Sequence, residues 1–213
     1  ATGISVVSST QVRCTSPAKT AGAYGVTATT SGGTSNAVSF TYTGGGDSHT
    51  TTLTPTADTL VAAGGPTTNY GNHNNMQIQN NGPNWSIESL VKFSLSSVSG
   101  TTITSARLRV YKNGNSSSLV VTASSCSNDS WTEGGVNWSN RPTKGTSQTT
   151  VTAAAAGWYE WDITSYANSE FVGDKTMTVY LSDLTEYRNV WTQWWTKEYS
   201  SSSLRPRLIV ISQ

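Results

Sequence analysis

Apolar and polar residues alternate with period two in several stretches of the chain, the pattern of strands with one buried and one wet face. Ser89 to Leu95 sets Val91, Phe93 and Leu95 on one face and Leu90 and Lys92 on the other. Ala106 to Tyr111 turns Ala106, Leu108 and Val110 inward and Arg107, Arg109 and Tyr111 outward. Thr176 to Ser182 turns Met177, Val179 and Leu181 inward, and Arg205 to Ile211 reads as a closing strand through Leu208 and Val210. Near the start, Ile4 to Val7, Gln11 to Thr15, Gly25 to Thr30 and Ala37 to Tyr42 carry strand patterns. Turn signals at Ser16-Pro17 and Ser31-Gly32-Gly33 separate them. The one helix predicted covers Ile163 to Phe171, with Asp162 as its N-cap.

Composition agrees with an all-β chain. Ser and Thr supply nearly a third of the residues, with 19 Gly, eight Trp and nine Tyr, while the Glu, Lys and Leu that long helices favour are scarce. A net charge of +1 excludes a broadly basic nucleic-acid binder. No apolar run approaches the 18 or so residues of a membrane span. Two Cys and two His leave little room for a zinc cage. Cys14 and Cys126 read as idle thiols or as one cross-link in an oxidising compartment. The hydroxyl-rich, weakly charged surface suits an extracellular or cell-surface protein. The chain opens on Ala1 with no Met and no secretory signal, so the expectation is a processed product or part of a longer protein.

Thr43-Gly44-Gly45-Gly46-Asp47-Ser48 marks a linker, expected to run over 44–50, between a segment 1–43 and a unit 51–213 long enough for a full core. The first segment resembles the C-terminal half of an IPT/TIG domain. The resemblance rests on Val6 to Val12, Thr15 to Ala18, Gly22 to Thr30, Gly32 to Asn36 and Phe40-Thr41-Tyr42. It implies a partial immunoglobulin-like β-sandwich whose first strands were removed, lie upstream or come from another chain by strand addition.

The second unit resembles the DNRLRE-type domain, which overlaps carbohydrate-binding module family 96. Ala57-Asp58-Thr59, Tyr70-Gly71, Leu90 to Leu95, Ser105 to Tyr111, Trp131-Thr132-Glu133 and Val136 to Pro142 carry the match. So do Trp161 to Thr164, Thr196-Lys197-Glu198 and Arg205 to Leu208. The resemblance implies a jelly-roll-type β-sandwich appended to secreted enzymes or surface proteins, with polysaccharide as partner, in some members an anionic one such as alginate.

Catalysis is weakly supported. A hydrolytic carboxylate pair needs a defined separation across a cleft, and of the candidates Asp129, Glu133, Glu160, Asp162, Glu186 and Glu198 most read as structural: Glu133 in a turn motif, Asp162 as a cap, Glu198 in a framework motif. His49 and His73 accompany no nucleophile motif. The chain is therefore read as non-enzymatic. The aromatic residues are the stronger lead, because all eight Trp follow residue 84. Trp131, Trp138 and Trp161 fall in the family motifs and read as core or corner residues, while Trp158 reads equally as structural or as functional. In a strand over Val190 to Glu198 the resemblance turns Trp194 inward. Trp191 and Trp195 then face outward about 13 Å apart, with Gln193 between them and Lys197 beside them. Pyranose rings stack on indoles, so this makes a candidate sugar platform, with Tyr187 and Arg188 at its edge. The alternative is that a loop or the preceding segment covers it. The outward Lys92, Arg107, Arg109 and Tyr111 extend the platform if their strands share its sheet, and Arg suits a carboxylate. Trp85, in the loop Asn80 to Trp85, reads as a rim contact or as a cap on the core.

No cofactor is required. A structural calcium ion is common in jelly-roll glycan binders, and Asp58, Asn72, Asn74, Asp162 and Glu198 are the oxygen donors on offer, without EF-hand spacing. The rival reading is a structural or adhesive subunit of a cell-surface fibre, where neighbouring subunits cover the outward Trp and complete the half-sandwich.

Overall fold

The structure is a computed structural model; it describes every residue except 18, 43–46, 115–116 and 186–188. The chain divides into two compact units, Ala1–Asp47 and Ser48–Gln213. The linker expected over 44–50 is shorter at its far end, because a strand already begins at His49. Residues 43–46 lie outside the described residues.

The first unit contains β1 (Thr2–Ser8), β2 (Gln11–Thr15), β3 (Gly22–Val26), β4 (Thr29–Thr30), β5 (Gly33–Thr34) and β6 (Val38–Tyr42). They form three antiparallel two-stranded ribbons, β1–β2, β3–β6 and β4–β5. Nothing among its described residues is buried, and Val6 and Val38 are 73% and 70% exposed. A cavity of about 460 Å³ opens between Cys14, Tyr24, Phe40 and Tyr42. Cys14 is exposed and Cys126, in the second unit, is buried; both are free thiols.

The second unit is an all-β sandwich built on one path of antiparallel strands. Its strands are β7 (His49–Leu53), β8 (Ala57–Ala62), β9 (Asn75–Gln79), β10 (Ile87–Ser94), β11 (Ile103–Lys112), β12 (Leu119–Ser124), β13 (Ser147–Ala153) and β14 (Gly157–Asp162). Helix α1 (Thr164–Val172) and strands β15 (Thr176–Ser182), β16 (Trp191–Trp195) and β17 (Arg207–Ser212) complete it. One layer runs β13-β12-β15-β10-β8 and the other β14-β11-β17-β7. The pair β9–β16 joins them, touching β10 through Ile87–Gln79 and β11 through Lys112–Trp194.

The alternating apolar positions meet between the layers. Val91, Phe93, Leu108, Val110, Val179, Leu181, Leu208, Val210, Trp161 and Trp194 share one core. Trp161 and Trp194 touch edge to face at 5.5 Å, and the Trp161 Nε1–H donates to the Val121 carbonyl. Asp162 lies one residue before the helix cap position, Ile163, and its carboxylate accepts the Thr164 N–H at 3.0 Å. The hydroxyl and N–H of Thr164 hold that carboxyl below the usual carboxylate range.

The first layer departs from the alternation in one respect: both faces of β10 and β15 are buried. A second, smaller core of Ala57, Val61, Leu90, Cys126, Trp131, Val136 and Tyr180 lies on its outer side. The segment 125–145 covers that side and is anchored by polar groups. Trp131 Nε1–H donates to Thr178 Oγ1, the Tyr180 hydroxyl to the Pro142 carbonyl, and Glu88 pairs with Arg141 and Lys144. The single Tyr166 O–H is shared between the carbonyls of Cys126, at 2.7 Å, and Thr178, at 2.9 Å.

Candidate functional site

With the first layer covered, the outer face of β14, β11 and β17, continued by β16 and β9, is the open sheet surface of the second unit. Alternation decides what it presents. Trp194 is fully buried, so Trp191, Gln193 and Trp195 face outward, each half-buried. On β9 their partners are Gln79, Gln77 and Asn75, which supply an amide opposite each. Asn113, just past β11, donates its backbone N–H to the Gln193 carbonyl at 3.0 Å and its side-chain amide to Gln193 Oε1. Trp195 is also stacked face to face on Tyr199, with ring centroids 3.9 Å apart and planes 5° from parallel.

On the adjoining strands Tyr111 meets Trp158 edge to face at 5.5 Å. The Trp158 ring carries two guanidinium groups, Arg207 at 4.4 Å and Arg109 at 5.0 Å from its centroid. Arg109 is paired with Glu160 at 2.6 Å and Arg107 with Asp162 at 3.3 Å. Arg207 donates to the Ser203 carbonyl and meets no carboxylate among the described residues. The antiparallel register Lys112–Trp194 places Tyr111 and Trp195 at the same level of this face. Trp158 and Arg207 carry no role in the sequence reading. The signal was there, because the inward Trp161 and Leu208 fix their parity.

Two expected platform residues lie elsewhere. Lys92 points to the covered side of the first layer, where its ammonium donates to the carbonyls of Asp129 and Trp131 and lies 4.3 Å from the Trp131 ring. Burial lowers its pKa. The period-two rule placed Lys92 off the core face correctly, but a second core covers that face. Lys197 follows the end of β16 and turns into a carboxylate group instead of continuing the platform. Its ammonium bonds to Glu133 Oε2 at 2.9 Å and to Glu198 Oε1. Burial pulls that ammonium down, but the bonds to Glu198 and Glu133 outweigh it and leave its pKa raised. Trp85 is 65% exposed and lies on Gly64 in the loop between β9 and β10, which excludes a core cap. Tyr187 and Arg188 lie outside the described residues.

Of the expected calcium donors that are carboxylates, Asp58 and Glu198 come together, joined by Glu133, and Asp162 does not; Asn74 accepts the neighbouring Thr196 N–H on its backbone carbonyl. One carboxylate oxygen of each of the three lies within 4.8 Å of the others. Asp58 N–H donates to Glu133 Oε1 and Lys197 N–H to Asp58 Oδ2, both at 2.8 Å. The Asp58 carboxyl is raised to about 8, chiefly by burial and further by the charges of Glu198 and Glu133, against the lowering effect of the Lys197 N–H and ammonium. Gly71 is required here, because a Cβ would come within 2.3 Å of the Glu133 carbonyl oxygen. Of the other carboxylates considered for catalysis, Glu160 is paired with Arg109, and Glu186 lies outside the described residues.

Comparison with family models gives two matches: the carbohydrate-binding module family 96 model covers residues 49–212, and the IPT/TIG domain model covers residues 1–42. No curated protein matches the chain.

Proposed function

The chain belongs, through residues 49–212, to carbohydrate-binding module family 96, and from that premise we propose that it holds extracellular polysaccharide, without cleaving it, on the outer face of β16, β9, β11 and β14. The observation that carries this reading is the half-buried aromatic rings Trp191, Trp195, Tyr111 and Trp158 on one sheet face, among the amides of Asn75, Gln77, Gln79 and Gln193, with one face of Trp195 taken by Tyr199 and the Trp158 ring carrying Arg207 and Arg109. Sugar C–H faces stack on the indoles, and the amides bond hydroxyls in either sense. The rings sit on paired strands, so little ordering entropy is lost on binding. Arg207, which meets no carboxylate among the described residues, supports an anionic glycan, because a uronate would find there a guanidinium held by the Ser203 carbonyl and the Trp158 ring alone among those residues.

The test is affinity electrophoresis of the chain in gels of neutral and anionic polysaccharides. Retardation by at least one polymer, abolished by Trp191→Ala and by Trp195→Ala, is expected. Normal migration in every gel, or retardation that survives both substitutions, contradicts this face as the site.

A second reading rests on a separate observation, the exposed apolar strands of the first unit, with Ile4 at 68% and Phe40 at 48%. These suit a structural or adhesive subunit of a cell-surface fibre, with strands of another chain packed on that face. Light scattering checks it: concentration-dependent assembly, lost on Val6→Ser with Val38→Ser, is its signature, and a strict monomer excludes it.

A further inference from the structure

The carboxylate group of Asp58, Glu133 and Glu198 has an incomplete set of partners. Four of its six oxygens are accounted for. Glu133 Oε1 accepts the Asp58 N–H, and Asp58 Oδ2 accepts the Lys197 N–H. Glu133 Oε2 and Glu198 Oε1 accept the Lys197 ammonium. The remaining two, Asp58 Oδ1 and Glu198 Oε2, are buried without a hydrogen-bond partner among the described residues, and Asp58 as a whole is 0% exposed. A buried polar atom without a partner is destabilising, and a buried charge without one far more so. With all three carboxylates ionised, as ligands to a metal are, one ammonium leaves two negative charges unbalanced.

We propose that these three residues hold one divalent cation of the hard, oxygen-seeking kind, with Ca²⁺ the best match. A divalent ion supplies the two missing charges and a partner for both orphan oxygens. The spacing fits: oxygens bound to one Ca²⁺ at about 2.3–2.6 Å lie no more than about 5 Å apart, and one oxygen from each residue lies within 4.8 Å of the others. The donor set is all carboxylate, with no Cys or His, which favours Ca²⁺ or Mg²⁺ over Zn²⁺. Ca²⁺ tolerates the irregular geometry better than Mg²⁺, and water completes its shell.

The site has a structural consequence. Asp58 lies on β8, Glu133 on the segment covering the first layer, and Glu198 on the turn after β16. A cation there ties together three stretches far apart in the chain. It also fixes the turn carrying Tyr199, the ring stacked on Trp195. The inference stands apart from the polysaccharide reading, and its test uses no glycan.

The full chain is stripped with a chelator and dialysed, and its thermal unfolding is followed with and without CaCl₂ or MgCl₂. Bound metal is measured by elemental analysis. The expected result is one Ca²⁺ per chain and a rise in Tm of roughly 5–10 °C at a hundredfold excess over Kd. Glu198→Gln, at a half-buried position, is expected to fold and to lose both. Asp58→Asn should do the same where it folds, and the wild-type measurements need no variant. Glu170→Gln in the other acidic group, Asp129, Glu170 and Asp174, should change neither. Wild-type protein that binds no Ca²⁺ and shows no shift overturns the proposal. So does a shift that survives Glu198→Gln or disappears with Glu170→Gln.

Discussion

Arg207 and Arg109 lie over the same Trp158 ring, yet they differ as ligands for a charged sugar. Arg109 already spends its guanidinium on Glu160 at 2.6 Å, whereas Arg207 donates to the Ser203 carbonyl and meets no carboxylate among the described residues. A glycan carboxylate must therefore displace Glu160 to reach Arg109 but can meet Arg207 directly. Arg207→Ala is expected to weaken an anionic polysaccharide by roughly 10-fold, the value of one charge-assisted hydrogen bond. A neutral polymer should change little, and Arg109→Ala should cost less. Parallel titrations at two ionic strengths measure this, and equal losses on both polymers would assign Arg207 a packing role only. Trp194 and Trp195 show how finely position decides a residue's use. They are chain neighbours of one chemical type, and the pleat sends one into the core and leaves the other on the open face.

At the scale of elements, the strands at the centre of the first layer, β10 and β15, explain why the platform is confined to one side of the molecule. Their outward positions, among them Leu90, Lys92, Thr178 and Tyr180, read as a mixed, wet face. All are wholly or partly buried beneath the segment 125–145. Lys92 anchors that segment through two carbonyls. Lys92→Met keeps the aliphatic stem but leaves both carbonyls without this donor. A loss of about 1–3 kcal/mol is expected by denaturant titration, with faster proteolysis within 125–145 and unchanged retardation by polysaccharide. Weakened glycan binding in a normally stable variant would return Lys92 to the binding site. The helix was legible to within a residue, but its cap position is Ile163 and not the expected Asp162, whose carboxylate accepts the Thr164 N–H from one residue further out. β8 went unread because a strand buried on both faces, from Ala57 to Ala62, has no alternation to read.

For the whole molecule, the two units differ in how they store stability. The second holds every buried hydrophobic residue described, in two cores, while the first exposes nearly all of its apolar side chains. Residues 48–213 alone are therefore expected to unfold cooperatively at the temperature of the full chain's main transition, by calorimetry. A clear drop in that temperature would show that the first unit contributes to the core of the second. The same division makes the fibre reading and the polysaccharide reading separable, since one needs the exposed strands of 1–42 and the other the sheet face of 49–212.

The sequence by itself determined the all-β class, the Gly-rich break, the inward set on β10, β11, β15 and β17, and the outward direction of Trp191 and Trp195. These follow from local rules: period-two alternation, turn residues, and motifs whose spacing belongs to one family. Only the tertiary structure decided which outward face stays open, because that depends on where a loop thirty residues further along the chain folds back. It likewise decided that Lys197 turns from the platform to Glu133 and Glu198, and that Arg207 joins Trp158. Carboxylates at 58, 133 and 198 become neighbours only when the start of β8, the covering segment and the turn after β16 converge, and no spacing along the chain encodes a distance of that kind.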